Sequence, residues 1–83
     1  MIDVTEIHFV QVVSELGSIS KAAEQLHISQ PTLSKKISRL EQKLKMALFY
    51  RDPIGMVPTE AAKLLISKGH HLTSQLAQLE REL

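Results

Sequence analysis

The sequence contains no cysteine, and only three glycines and three prolines occur among its 83 residues. Without cysteine the chain forms neither a disulfide nor a thiolate zinc site, which suits a reducing compartment. Few glycines and prolines favour long regular elements joined by few loops. No apolar run reaches the roughly 18–20 residues of a membrane span, and no signal peptide opens the chain. We therefore expect a cytoplasmic protein that does not enter the membrane.

Side chains that carry out catalysis or bind metals are also sparse. His8 and His27 lie far apart in the sequence, and the adjacent His70 and His71 would point about 100° apart on a helix. The nine carboxylates are scattered over expected outer faces, and no nucleophile motif is present. We expect no metal site, no cofactor within these 83 residues and no enzymatic activity.

The charge of the chain is small but unevenly distributed. Eighty-three residues make one small domain, with a net charge of +1. Residues 29–51 nevertheless contain one anion, Glu41, and six cations: Lys35, Lys36, Arg39, Lys43, Lys45 and Arg51. A cationic helix face is by itself an ordinary solvated surface. Its meaning depends on the elements around it.

The first 28 residues predict two helices. Asp3 can cap a first helix and Glu6 can reach back to it, while Gly17 is a natural stop. Ser20 is expected to cap a short second helix over residues 21–26. The first helix has one apolar face, formed by Phe9, Val12, Val13 and Leu16.

A third helix, over about residues 30–45, has a core stripe and a polar outer side. Ser29 is its expected cap, and Pro31 fits its first turn. The core stripe consists of Leu33, Ile37, Leu40 and Leu44. The opposite side consists of Thr32, Lys35, Arg39, Gln42 and Lys43, flanked by Ser34, Lys36 and Ser38. Polar and cationic side chains therefore project away from the core.

A hairpin and a long helix are predicted to complete the chain. Short strands over residues 48–51 and 56–58 flank a turn at residues 52–55. Thr59 is expected to cap a last helix that runs to Leu83, about 37 Å at 1.5 Å per residue. The apolar stripe of that helix is Ala62, Leu65, Gly69, Leu72, Leu76, Leu79 and Leu83.

The apolar stripe of the last helix has two readings. It could fold back on the core of its own chain, or it could pair with another chain. A helix of this length exceeds what so small a core covers, so we expect its distal half to find a partner. Gly69 costs about 1 kcal/mol in a helix interior, and a close approach by a second helix would compensate. Since the sequence stops inside this helix, we expect a longer protein.

Two helices in tight succession, a helix with a polar outer side and a hairpin make a winged helix-turn-helix. The predicted fold is mainly α, with a small two-stranded wing and a long C-terminal linker helix. We divide the chain into a DNA-binding unit, residues 1–58, and a linker or dimerisation helix, residues 59–83. Residues 9–44 most specifically, and essentially the whole chain, resemble the N-terminal DNA-binding domain of LysR-type transcriptional regulators. The matching residues are Gly17-Ser18, Ala22-Ala23, Leu26, Ser29-Gln30-Pro31, Leu33-Ser34, Ile37, Leu40-Glu41, Leu44, Leu48-Phe49, Arg51 and Thr59-Glu60-Ala61.

The resemblance implies that the third helix enters the major groove of double-stranded DNA. The DNA contacts it implies are Ser20, Ser29, Gln30, Pro31, Thr32, Ser34, Lys35, Ser38, Arg39, Arg51 and Thr59. It also implies a bacterial homodimer, with a tetramer open to the full-length protein. The dimerisation residues would be Leu65, Gly69, Leu72, Leu76, Leu79 and Leu83. A small-molecule inducer would bind a C-terminal domain outside these residues.

Other interpretations stay open at this point. Gln30 and Pro31 could serve only the start of the helix, and Arg51 could pair with Asp52. Lys45 stands where the family usually has a glycine, so the third helix is expected to run slightly longer. The wing tip carries no cation, which weakens any minor-groove role. A winged helix can also serve as a protein–protein module, and double-stranded RNA is a weaker third candidate.

Overall fold

The computed structural model describes residues 1–83 as four helices and one hairpin. The elements are α1 (Val4–Leu16), α2 (Ile19–Leu26), α3 (Gln30–Leu44), β1 (Phe49–Asp52), β2 (Gly55–Pro58) and α4 (Glu60–Glu82). The two strands pair antiparallel, with Arg51 opposite Met56. The predicted winged helix-turn-helix is confirmed.

The start of α1 is held by a reciprocal cap. The Glu6 amide donates to Asp3 Oδ1 at 2.8 Å, and the Asp3 amide donates to Glu6 Oε1 at 2.9 Å. Each side chain satisfies an amide that the helix leaves free, as predicted. The helix ends at Gly17, in the left-handed conformation (φ 63°).

The predicted start of α2 is wrong by two residues. Ser18, not Ser20, is the cap, since the Lys21 amide donates to Ser18 Oγ at 3.2 Å. Ser18 has the extended backbone of a capping residue, whereas Ser20 already lies in the first turn. The Ser20 hydroxyl lies 3.1 Å from that of Ser18. Two serines in alternate positions made the assignment ambiguous in the sequence.

The end of α3 also differs from the prediction. The helix stops at Leu44, and Lys45 adopts the left-handed conformation (φ 57°) without being glycine. The amides of Lys45 and Met46 donate to the carbonyls of Gln42 and Glu41, at 3.2 and 3.1 Å. These bonds close the helix although the position disfavours a side chain. The predicted extension past Leu44 does not occur.

One apolar core joins the three N-terminal helices, the wing and the start of α4. Its members are Val10, Val12, Val13, Ala22, Ala23, Leu33, Ile37, Leu40, Leu48, Phe49, Met56 and Ala62. The wing is tied to the α1–α2 turn, since the Met56 amide donates to the Gly17 carbonyl at 3.0 Å. A side chain at Gly55 would collide with that carbonyl. The wing therefore has a defined position against the helices.

The two halves of α4 have different surroundings. Its first half packs on the core through Ala62, Leu65 and Ile66, and Gly69 is buried. Beyond Gly69 every residue of the helix is exposed except the half-buried Thr73, and the molecule as a whole measures 45 × 26 × 20 Å. Folding back on the core thus holds for the first half of the helix, and pairing of the distal half with another chain stays a prediction. No helix is both long enough and apolar enough to cross a membrane.

Candidate nucleic-acid interface

The burial of one face of α3 determines which side chains face solvent. Leu33, Ile37 and Leu40 are buried in the core, as the stripe predicts, and Leu44 is half-buried. Because a helix turns 100° per residue, Lys35 lies almost opposite this stripe. Lys35 is exposed, and neither salt bridge in the structure involves it. Its ammonium is therefore available to a ligand.

The amino end of α3 presents a row of exposed side chains. Gln30, Pro31 and Thr32 are exposed, and Ser34 is half-buried on the wing side. The Ser29 hydroxyl accepts from the Thr32 amide at 3.2 Å and donates to Thr32 Oγ1 at 2.7 Å. The Ser29 side chain thus caps the helix, while Gln30 and Pro31 project from its first turn. These residues form one continuous surface with Lys35.

The cations on the α1 side of α3 are engaged within the chain. Lys43 Nζ lies 3.0 Å from both carboxylate oxygens of Glu6 and 3.2 Å from the Met1 carbonyl. Lys36 Nζ lies 6.0 Å from the centre of the Phe9 ring. Lys43, which periodicity placed on the outer side, is thus turned toward α1. These two lysines contribute less free charge to the outer face than the sequence indicated.

Arg39 lies on the same side of α3 but is not paired. It is exposed and lines a shallow cleft with Asp3, Thr5 and Glu6 at the start of α1. Neither salt bridge in the structure includes it. The guanidinium is therefore available near the edge of the outer face.

The wing brings a further cation to the other side of α3. Arg51 on β1 makes a long hydrogen bond, Nη2 to Ser38 Oγ at 3.5 Å. The alternative pairing of Arg51 with Asp52 does not form, since neither salt bridge includes these residues; Asp52 Oδ1 instead accepts from the Ile54 and Gly55 amides, each at 2.9 Å. Asp52 stabilises the wing turn instead. The predicted site residues Ser38 and Arg51 are therefore neighbours.

Two other predicted contacts have different positions. Thr59 is only 7% exposed, and its hydroxyl donates to the Ala47 carbonyl at 2.8 Å and accepts from the Ala62 amide at 3.2 Å. The only proton of the hydroxyl is thus donated inside the fold, which counts against the predicted DNA contact by the Thr59 side chain. Ser20 is exposed at the start of α2, and its contact with DNA stays a prediction.

The predicted dimerisation residues separate into two groups. Leu65 packs against the core, and Gly69 is buried against Ile7 of α1 in the same chain. Gly69 makes its close contact within the fold, not with a partner helix, whereas Leu65 is half-buried and its contact with a partner stays a prediction. The remaining positions are exposed: Leu72 55%, Leu76 43%, Leu79 50% and Leu83 96%. The sequence analysis missed Leu64, which is also exposed and precedes Leu72 by about two helical turns.

Glu41 has a role that its charge alone did not reveal. Its Oε2 accepts from the Leu48 amide at 2.7 Å and from the Phe49 amide at 3.3 Å. The one anion of residues 29–51 therefore faces the protein and holds the start of the wing. The sequence indicated this inward orientation of Glu41 through its position on α3, at the edge of the buried stripe rather than on the outer side.

Comparison with known proteins agrees with this geometry. The family model for bacterial regulatory helix-turn-helix proteins of the lysR family matches residues 4–63. The nitrogen assimilation regulatory protein nac of Klebsiella aerogenes is 38% identical over 73 residues, which cover 88% of this chain and 24% of that protein. A regulator in the ibpB-leuC intergenic region of Azotobacter vinelandii is 37% identical over 81 residues, covering 98% of this chain and 56% of that protein.

Solved structures share the fold over nearly the whole chain. The BenM_DBD/benA site 1 DNA complex has a TM-score of 0.89 at 27% identity, covering 98% of this chain and 91% of that one. The CbnR_DBD–DNA complex also has a TM-score of 0.89, at 22% identity, covering 98% of this chain and 93% of that one. The second likeness, at its lower identity, shows the fold alone.

Proposed function

The chain belongs to the lysR family of bacterial regulatory helix-turn-helix proteins, and on that basis we propose that it binds duplex DNA sequence-specifically as the DNA-binding domain of a transcriptional regulator. The observation that carries the proposal is the outer face of α3. There Gln30 and Lys35 are exposed, and Arg51 of the wing lies beside Ser38. A helix with such a face fits the major groove of B-form DNA.

The side chains on this face have distinct roles in the proposed complex. Gln30, in the first turn of α3, can bond both edge atoms of an adenine, and Lys35 can donate to a guanine. Pro31 offers apolar contact to a thymine methyl group. Ser34 and Ser38 can donate to bases or phosphates. Base reading is thus assigned to the amino-terminal half of α3.

Phosphate contacts are assigned to the cations that the fold leaves free. Lys36 and Lys43 are engaged on the α1 side, which leaves four cations between residues 29 and 51 without an ion pair or a ring contact: Lys35, Arg39, Lys45 and Arg51. Neutralising about three to four phosphates gives log K a slope of about −3 to −4 against log salt for each subunit.

We also propose that the chain forms a homodimer through the exposed leucines of α4. Leu72, Leu76, Leu79 and Leu83 follow one another at spacings of four, three and four, the pattern of a two-helix seam. A two-fold dimer would present two copies of α3 to a pseudo-palindromic site. Its half-sites should lie about 34–36 Å apart, one turn of DNA, or a multiple of that distance.

Properties of a whole regulator extend beyond these residues. The chain spans about a quarter of the length of the nitrogen assimilation relatives it matches. We propose that a small-molecule inducer, and any assembly into a tetramer, involve parts outside residues 1–83. Since the relatives are named as regulators, the proposed role is binding in the cytoplasm, without catalysis.

Selection of bound duplexes from a random pool, followed by a salt titration of the recovered site, tests the proposal. We expect one preferred pseudo-palindromic sequence and an affinity that falls steeply between low and physiological salt. A flat titration with no recovered preference would contradict DNA binding and favour the protein–protein module. Double-stranded RNA of the same sequence is the matched competitor and should compete weakly.

A further inference from the structure

One residue of the loop after α3 is hydrogen-bonded both to α3 and to the capping residue of α4. Leu48 is fully buried, and its amide donates to Glu41 Oε2 in the last turns of α3 at 2.7 Å. Its carbonyl accepts from the Thr59 amide, at the cap of α4, at 2.9 Å. The peptide groups of Leu48 thus connect the proposed recognition helix to the proposed dimerisation helix.

The residues beside Leu48 extend the connection. The Phe49 amide donates to the same Glu41 oxygen at 3.3 Å, and the Thr59 hydroxyl donates to the Ala47 carbonyl at 2.8 Å. We call Glu41, the segment 47–49 and Thr59 the Leu48 clamp. All four bonds involve backbone groups that are costly to leave unpaired when shielded from water. The clamp is therefore stabilised both by the burial of Leu48 and by these four hydrogen bonds.

Direct packing between α3 and α4 is slight by comparison. Each of these helices packs on α1, and α4 also contacts β2. The angle between α3 and α4 is therefore set indirectly, by α1 on one side and by the Leu48 clamp on the other. A change in the clamp removes no side chain from the outer face of α3.

We propose that Glu41 is a positioning residue that sets the angle between α3 and α4, and through it the half-site spacing that the dimer prefers. The inference rests on the proposed function. The length of α4 makes the angle consequential, because 23 residues span about 34 Å. A rotation of about 5° at its start moves its far end by about 3 Å, close to the rise of one base pair. The clamp thus fixes the start of α4, where a small rotation produces a large displacement of the far end.

The chemistry of the clamp supplies a matched pair of variants. Both amides donate to one oxygen of Glu41, so the carbonyl oxygen of glutamine can accept both bonds without the charge. Glu41→Gln therefore keeps the clamp and raises the net charge by one. Glu41→Leu makes the same charge change, keeps the side-chain bulk and leaves both amides without their acceptor. Comparing the two separates geometry from electrostatics.

The test measures affinity for duplexes carrying two selected half-sites whose separation varies one base pair at a time, and for a single half-site. The parent and Glu41→Gln should share one preferred separation. Glu41→Leu should lower the preference for that separation over its neighbours by about fivefold or more, the low end of coupling between sites. Its affinity for the single half-site should stay within about twofold of the parent.

Two results would overturn the inference. In one, Glu41→Leu keeps the spacing preference of the parent; in the other, it loses single-site and two-site affinity by the same factor. If Glu41→Leu does not fold by circular dichroism, Thr59→Val removes the bond to Ala47 from the other side of the clamp. Thr59→Ser retains the hydroxyl and is its control, expected to behave as the parent.

A measurement without DNA distinguishes failure of this inference from failure of the proposed function. The chain has no cysteine, so Lys35→Cys with Gln78→Cys places one spin label on α3 and one on α4. Diluted with excess unlabelled chain, the pair should give a narrow distance distribution in the parent and in Glu41→Gln. It should broaden or shift in Glu41→Leu. An unchanged distribution would refute the positioning role whether or not the chain binds DNA.

Discussion

Replacement of Gly69 by alanine probes the contact that directs α4 away from the core. A Cβ at this position would lie 2.5 Å from Ile7 Cγ2, well inside the 3.5–4.0 Å at which carbon atoms attract. Ile7 is buried on α1, and its β-branched side chain has little rotational freedom in a helix. We expect α4 to move away from α1 by about 1 Å, because neither side chain can turn aside.

The magnitude follows from two opposing effects. Alanine is favoured over glycine by about 1 kcal/mol in a helix interior, whereas overpacking a core contact costs about 1–3 kcal/mol. An approach as short as 2.5 Å belongs to the upper part of that range. Gly69→Ala should therefore lower the free energy of unfolding by about 1–2 kcal/mol. For a domain of this size the melting temperature should fall by about 5–15 °C.

Urea denaturation, followed by the helical circular dichroism signal at one protein concentration, measures the effect. The control is Ser74→Ala, at an exposed position of α4, which should stabilise by a few tenths of a kcal/mol. In an Ile7→Ala background the obstructing methyl is gone, so Gly69→Ala should instead stabilise by up to about 1 kcal/mol. A gain in stability from Gly69→Ala in the parent would refute the reasoning.

Lys35→Ala should weaken binding to the preferred site by about 1–3 kcal/mol and relax its base preference; an equal loss on a scrambled duplex would contradict groove reading. Lys43→Ala makes the same charge change but should alter DNA affinity little. Because it removes the ion pair with Glu6, urea titrations should show a free energy of unfolding lower by about 0.2–1 kcal/mol. The double replacement Leu72→Asp and Leu76→Asp should yield a folded monomer in sedimentation that loses much DNA affinity, whereas a parent already monomeric at high concentration would contradict the dimer. Ser18→Ala should lower the melting temperature through loss of about 1 kcal/mol of capping, and an unchanged melting temperature would count against that cap.

Several features of this protein were determined by the sequence alone, because they depend on residues close together in the chain. The cap formed by Asp3 and Glu6 and the stop at Gly17 involve neighbours within one or two turns. The stripe of leucines and isoleucine on α3 follows from helical periodicity, and it assigns Lys35 to the exposed side. The order of helices and hairpin then implied the fold, and the residues that match the family pattern implied the family.

Other features depend on contacts between residues that are far apart in the sequence, so only the tertiary structure determined them. Glu6 lies 37 positions before Lys43, and their ion pair removes a cation that periodicity had assigned to the outer side. Gly69 meets Ile7 of its own chain, so the close approach inferred for it occurs within the fold. The Thr59 hydroxyl donates to a carbonyl 12 residues earlier, which counts against the predicted DNA contact. Local patterns indicate which side of a helix is buried, but the partner of each polar group depends on which elements pack beside it, and that is a property of the tertiary structure.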